Sequence, residues 1–244
     1  AGTATAYSVD QWYELIAKGL RMERLVTQQR AAMDAYDPER RIGLIVDEWG
    51  TWHPVEPGTH PRFLYQQNTL RDALSAGIFL NIFNAHCDRI KMGNIAQINN
   101  VLQAMILTRG KEMILTPTYH VFEMFNVHQG AILLPSELFC HAYEHGAEQV
   151  PSLVASCSQD SAGTVHISIC NLDPNRDAKL QCRLEGMIPA QVRGRVLSAD
   201  TMNAMNSFDQ PEAVKPTLFS AAFVEDEIVN ATIPAKSVVV LAVK

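Results

Sequence analysis

Along the first 128 residues apolar side chains recur chiefly at helical spacing, interrupted by short continuous apolar runs; from residue 129 onward they fall into short alternating stretches. Ser8 and Gln11 form a capping-box pair, and Trp12, Leu15, Ile16, Leu20 and Leu25 then follow one helical face. A first helix is therefore expected to run to about Tyr36, where Asp37-Pro38 ends it. Ile42-Gly43-Leu44-Ile45-Val46 is a continuous apolar run between two helical patterns, which predicts a parallel strand buried on both faces. After a Pro- and Gly-rich loop over 53–62, a second helix is expected across Phe63 to Ala85, with Leu70, Leu74, Ile78 and Ile82 turned inward. There follow a short strand over Arg89 to Met92, a helical or mixed apolar stretch from Ile95 to Leu107, and a hairpin turning at Arg109-Gly110. A last helix begins with Pro117 at its first position and ends near Val127.

The order helix, strand, helix, strand, helix belongs to an α/β fold. Two parallel strands do not make a stable sheet alone, so this part reads as the last strands and helices of a (β/α)8 TIM barrel that other polypeptide completes. The remainder reads as all-β, with strands at Ala131–Leu134, Leu153–Ser158, Thr164–Cys170, Ala178–Leu184, Gln191–Leu197, Glu227–Ile233 and Ser237–Val243. Turn chemistry such as Asn171-Leu172-Asp173-Pro174-Asn175 separates them, and about seven short strands suggest a β-sandwich. The expected organisation is a partial barrel over residues 1–128 and a sandwich over 129–244.

Composition narrows the partners. With 47% hydrophobic and 19% charged residues the chain is globular, and its net charge of −6 disfavours nucleic acid and anionic membrane surfaces while leaving a neutral carbohydrate unaffected. Apolar runs such as Val238–Val243 are too short to span a bilayer, and the start AGTATAYS has no signal-peptide pattern. Five cysteines without a CxxC read as buried free thiols in a reducing, cytoplasmic setting.

Candidate chemistry concentrates at Val46-Asp47-Glu48-Trp49-Gly50-Thr51-Trp52, where two acids and two tryptophans directly follow a buried strand. In a (β/α)8 barrel the C-terminal strand ends form the active-site rim. A carboxylate there is placed to attack an anomeric carbon, and a tryptophan face packs against the apolar side of a sugar ring. Asp47, one residue before Glu48, is expected on the opposite side of the strand in a structural role. Asp88 and Arg89 are candidates for a pair across the barrel or for a solvated pair.

DEWGTW, followed by PGTHPRFLYQQNTLRDALSAGIFLNIF, HCDRIKMGNIAQINNVLQAMILT and LTPTYHVFEMF, resembles the α-L-arabinofuranosidases of glycoside hydrolase family 51 over roughly residues 9–128, and the rest in architecture. The resemblance implies a barrel with a C-terminal β-sandwich and, as nucleophile, the glutamate ending the seventh strand, which is Glu48. It implies that Trp52 shapes the sugar site, that Gln97 of the N-x-A-Q segment contacts the arabinose, and that no metal or organic cofactor is needed. A homo-oligomer is implied as well, since many relatives assemble. The sequence departs from the family in two respects. The general acid/base lies in an Asn-Glu pair far upstream, and no such dipeptide occurs here. The strand that should bring a tyrosine into the site is also missing, and Tyr7 lies too near the first helix to replace it. The chain is thus expected to supply the nucleophile but not the acid/base, the missing barrel portion supplying the rest. In the retaining mechanism two carboxyls stand roughly 5–5.5 Å apart, one attacking C1, the other protonating the leaving oxygen and then activating water.

Two readings compete: a non-catalytic carbohydrate-binding or structural fragment, and a zinc peptidase built on His141-Ala142-Tyr143-Glu144-His145, which matches H-x-x-E-H but needs a helix this region does not predict. Asn230-Ala231-Thr232 is a sequon inside an expected strand and is read as incidental. Met92, Met105, Met113 and Met124 are expected as core filler, and His86 and His120 as satisfied interior histidines.

Overall fold

The computed structural model describes residues 2–145 and 148–244, the side chains of His145 and Glu148 excepted. Helix α1 (Val9–Asp34) starts at the Ser8–Gln11 capping box as expected. Strand β1 (Leu44–Trp49) pairs in parallel with β2 (Ile90–Ile95), and helix α2 (Leu70–Ala85) connects them. Hairpin β3 (Ile106–Arg109) and β4 (Glu112–Leu115) turns at Gly110, whose φ of 60° suits glycine. Helix α3 (Pro117–Phe125) follows, its N-cap Thr116 accepting from the Tyr119 N–H.

Several expectations are corrected here. The second helix begins at Leu70, not Phe63: Leu64 is left-handed at φ 52°, which breaks the helix, and Thr69 and Asp72 form the capping box that starts it. The stretch 95–107 contains no helix; its backbone is bonded across a loop, Gln97 N–H to Val101 O at 3.2 Å and Met105 N–H to Gln97 O at 3.3 Å. The apolar run at β1 is covered on one face only, Ile45 being 51% exposed beside Met92 at 52%. Met92 and Met113 are thus exposed rather than core filler, whereas Met124 is buried. Asp88 and Arg89 do not pair with each other. Buried Arg89 donates to Asp37 Oδ2 at 2.7 Å and to Asp34, while Asp88 binds Arg30 and Arg40, so both tie the sheet's N-terminal end to the last turn of α1. His86 is satisfied by Glu23 and Arg30.

The second half forms two antiparallel sheets. One has six strands in the order β12 (Thr217–Phe219), β11 (Val192–Leu197), β15 (Ser237–Val243), β9 (Val165–Asn171), β8 (Leu153–Gln159) and β5 (Ile132–Leu134). The other has three, β10 (Ala178–Arg183), β14 (Ile228–Ile233) and β13 (Ala222–Glu225). Ile167, Ile169, Val239 and Leu241 from the first meet Val229, Ala231 and Ile233 from the second in one core, which makes this a β-sandwich. All seven expected strands are present, and the sequon's Asn230 lies in β14. A further hairpin, β6 (Ala142–His145) with β7 (Glu148–Pro151), occupies the H-x-x-E-H segment. A strand cannot put residues four apart on one helical face, so the zinc-peptidase reading loses its scaffold; the His145 side chain lies outside the described residues. The cysteines are free, Cys170 buried but Cys87 exposed.

The central strands of the six-stranded sheet, β9 and β15, are buried on both faces. On β15, Val239 and Leu241 enter the sandwich while Val238 and Val240 join a second core with α1, α2 and α3. Thirteen residues of α2 are buried, as expected of a helix enclosed all round. Asn81 Oδ1 accepts from Ser156 and Ser168 at 2.8 and 2.7 Å, and Trp12 Nε1 donates to Leu172 O at 3.0 Å. Close approach requires Gly77, where a Cβ would stand 2.5 Å from Cys170 Sγ. Gly77→Ala is therefore expected to destabilise the complete gene product by about 1–3 kcal/mol despite its better helix propensity. Cys170→Ala in the same chain should recover much of that loss. Urea unfolding of the four forms measures the coupling, and strictly additive losses would refute the contact.

Candidate active site

Strand β1 ends in an irregularity that decides where its acids point. Leu44, Val46 and Trp49 all pack into the helical core, so the inward parity slips by one between Val46 and Trp49, where the pairing register to β2 also shifts. Asp47 and Glu48 are both exposed as a result. This corrects the expected strict alternation. Asp47 is held by Asn94, whose Nδ2 donates to Oδ1 at 3.3 Å. Among the described residues nothing hydrogen-bonds the Glu48 carboxylate.

Trp49 anchors the strand end, stacked on Phe122 (centroids 5.7 Å, 11° apart) and edge-on to Phe83. Gly50 then turns the chain at φ 136°, beside Gln103 Oε1, which a Cβ would approach to 3.1 Å. Beyond it a buried polar network holds the loop. Gln103 Oε1 accepts from the Thr51 N–H (2.8 Å) and its amide donates to Asp72 O (2.7 Å). Gln66 Oε1 accepts from the His53 N–H at 2.7 Å. The fully buried Asp72 carboxylate accepts from Thr51 Oγ1 (2.7 Å), His53 Nε2 (2.9 Å) and the Thr69 N–H (2.8 Å). Burial pushes that carboxyl up, but the His53 hydrogen bond and charge, the Arg71 charge and the Thr69 N–H outweigh it and hold it below the usual range. Arg71 stacks over the Tyr7 ring at 3.5 Å, and Tyr7 donates to Met202 O, which places Tyr7 in this supporting network. Thr51 and His53 are thus fixed inward, and Trp52 between them is turned outward, 66% exposed.

Gln97 leaves the end of β2, also exposed, after a cis Ala96–Gln97 peptide. The Ala96 N–H donates to Trp49 O at 2.8 Å, so the segments carrying Glu48 and Gln97 emerge side by side at the C-terminal edge of the parallel pair. The structure therefore brings Glu48 and Gln97 to one rim, with Trp52 exposed on the loop that leaves it. Asp72, His53, Gln66 and Gln103 were not anticipated from sequence. The T-x-x-D spacing of Thr69 and Asp72 was the one available signal, and it marks a helix start rather than a site.

The family profile of the alpha-L-arabinofuranosidase C-terminal domain matches residues 47–237. This chain belongs to the α-L-arabinofuranosidases of glycoside hydrolase family 51. An intracellular exo-alpha-L-arabinofuranosidase of Bacteroides ovatus is 42% identical over 98% of the chain and 47% of its own length. Among solved structures, the family 51 arabinofuranosidase of Xanthomonas axonopodis pv. citri matches all of the chain and 49% of its own, at 43% identity and a TM-score of 0.97. The Thermotoga maritima α-L-arabinofuranosidase, solved as an arabinose complex, shares the fold at 21% identity and a TM-score of 0.81 over 96% of the chain and 50% of its own. The chain spans about half the length of these relatives.

Proposed function

We propose that the complete gene product is a retaining glycosidase that releases terminal non-reducing α-L-arabinofuranosyl residues from arabinose-containing oligo- and polysaccharides, with Glu48 as nucleophile. The observation that carries this reading is the exposed Glu48 carboxylate at the C-terminal end of a parallel strand, beside the segment that carries Gln97. Family membership supports it. In this reading β1 and β2 are the last strands of a (β/α)8 barrel formed by residues 1–128, and their apolar open face, with Ile45 and Met92, joins the packed barrel interior. Residues 129–244 form the accessory sandwich. Glu48 attacks C1, Trp52 packs on the apolar face of the sugar and Gln97 hydrogen-bonds its hydroxyls. The acid/base carboxyl comes from polypeptide outside this chain, roughly 5–5.5 Å from Glu48. A cytoplasmic site of action agrees with the intracellular relative and with the free thiols.

Trapping tests the assignment. Incubated with an activated 2-deoxy-2-fluoro-α-L-arabinofuranoside, the complete gene product should gain one glycosyl mass on the peptide containing Glu48. Labelling of a different carboxylate would remove Glu48 from the mechanism.

A further inference from the structure

Where α3 runs into the sandwich, two imidazoles come together. His128 closes the short 3-10 turn Asn126–His128 that follows α3, with its ring 5.7 Å from that of Phe125. Its Nδ1 lies 2.7 Å from Ser158 Oγ on β8. Ser158 stands opposite His166 on β9, and His166 Nε2 is 2.9 Å from Asp160 Oδ2 in the β8–β9 turn. By strand alternation these two residues share the sheet face whose Ser156 and Ser168 bond Asn81 of α2. The other two ring nitrogens, His128 Nε2 and His166 Nδ1, are buried, and among the described residues neither has a hydrogen-bond partner.

The neighbours decide which ring can take a charge. A carboxylate only accepts, so His166 carries a proton on Nε2, and that bond, followed by the Thr164 N–H, holds the Asp160 carboxyl below its usual range. His128 faces a hydroxyl instead. An imidazolium donates from both nitrogens, and the Nε2–H of a charged His128 would meet no acceptor among the described residues. Burial, and then the His166 ring, push the His128 imidazole down to about 4. The charged groups farther out do not offset this. On α3, Glu123 is gripped by Arg195 of β11 at 2.6 and 2.9 Å. Across the sheet, Ala242 of β15 separates His166 from the exposed Arg193 of β11, and Leu133 of β5 flanks Ser158. The nearest polar side chain of α2, Asn84, is neutral and bonds Ser156.

We infer that His128 is a proton-operated latch between the helical part and the sandwich: neutral, it pins the end of α3 to Ser158 beside His166, and protonated, it leaves for water and frees the segment 126–131. An opened, exposed imidazole titrates near about 6.5, so the open form binds a proton first and acid draws the equilibrium towards it. The closed form keeps its full advantage above about pH 7 and loses it progressively as pH falls towards about 4. The turn after α3 holds itself only by Gln129 N–H to Asn126 O at 3.1 Å and Ala131 N–H to His128 O at 3.3 Å, so these two amides report the opening.

Hydrogen exchange on the complete gene product tests the latch. Corrected for the intrinsic rate, deuterium uptake at the amides of Gln129 and Ala131 should rise by about 20-fold from pH 7 to pH 5, the factor for a group that titrates near 6.5 when open and near 4 when closed. Uptake in β9 and β15 should stay the same. His128→Asn, whose amide reaches Ser158 but does not titrate, should abolish the pH dependence. Exchange of the imidazole C2 hydrogens, followed by mass spectrometry against pH, needs no variant and should give His128 a midpoint well below 6.5. A His128 midpoint near 6.5, amide uptake equal at both pH values, the same rise in His128→Asn, or a matching rise in β9 and β15 would each overturn the latch.

Discussion

Glu48→Gln in the complete gene product is expected to lower kcat for an aryl α-L-arabinofuranoside by on the order of 10⁴-fold or more, with thermal stability unchanged. The two halves of that expectation come from different features. The amide keeps the side chain's size but cannot form the glycosyl-enzyme, so the step that Glu48 would carry is lost outright. Stability should move by less than about 0.5 kcal/mol, because the side chain is exposed and no described neighbour depends on it. With Glu48→Ala, added azide should restore turnover by attacking C1 in place of the carboxylate. Asp47→Asn is the control. Its carboxylate is bonded to Asn94, and its loss should cost less than about tenfold in rate. Equal activity in the native and Glu48→Gln proteins would end the proposed mechanism.

Asp72→Ala is expected to have the largest effect on stability, about 3–5 kcal/mol, because it removes a fully buried carboxylate and leaves His53, Thr51 and the Thr69 N–H without their acceptor. The loss should depend on pH. A carboxyl held below its usual range in the folded protein adds stability that is fully present above the unfolded value of about 3.9, and that is lost as pH falls through the folded value. Denaturant unfolding should therefore show the full gap between native and variant proteins from about pH 5 upward, closing only in stronger acid. Activity should fall as well at temperatures where the variant is folded, since Thr51 and His53 are what turn Trp52 outward. A gap that widened in acid would show that His53 and Arg71 do not hold the carboxyl in its charged form.

Local signals were legible in the sequence and long-range ones were not. The Ser8–Gln11 box, the seven strands and the turn at Gly110 all depend on residues a few positions apart, and each is present. Glu48, Trp52 and Gln97 could be named because they lie in short motifs, and all three side chains are exposed at or after the C-terminal ends of β1 and β2. The phase of β1 could not be read, because the slip between Val46 and Trp49 answers to aromatic packing of Trp49 on residues from α2 and α3. The helix expected from Phe63 failed where Leu64 adopts a left-handed conformation that its residue type does not announce. Nor could the polar network be read: His53 to Asp72 and Thr51 to Gln103 are contacts across 19 and 52 positions, with no periodicity to betray them. The β6–β7 hairpin went unseen because its strands are largely polar and bear little of the alternation by which the others were found.

The double burial of the central strands of the six-stranded sheet bears on how such a protein could be divided or recombined. The visible change of sequence texture near residue 129 invites a cut there, yet Cys170, Val238 and Val240 would then face water where α2 now covers them. An engineer grafting the sandwich onto another catalytic unit would have to carry α2 with it or rewrite that face as polar. By the same token, evolution could not readily shuffle this sandwich as a freestanding cassette, because its outer wall is finished by the helix between β1 and β2.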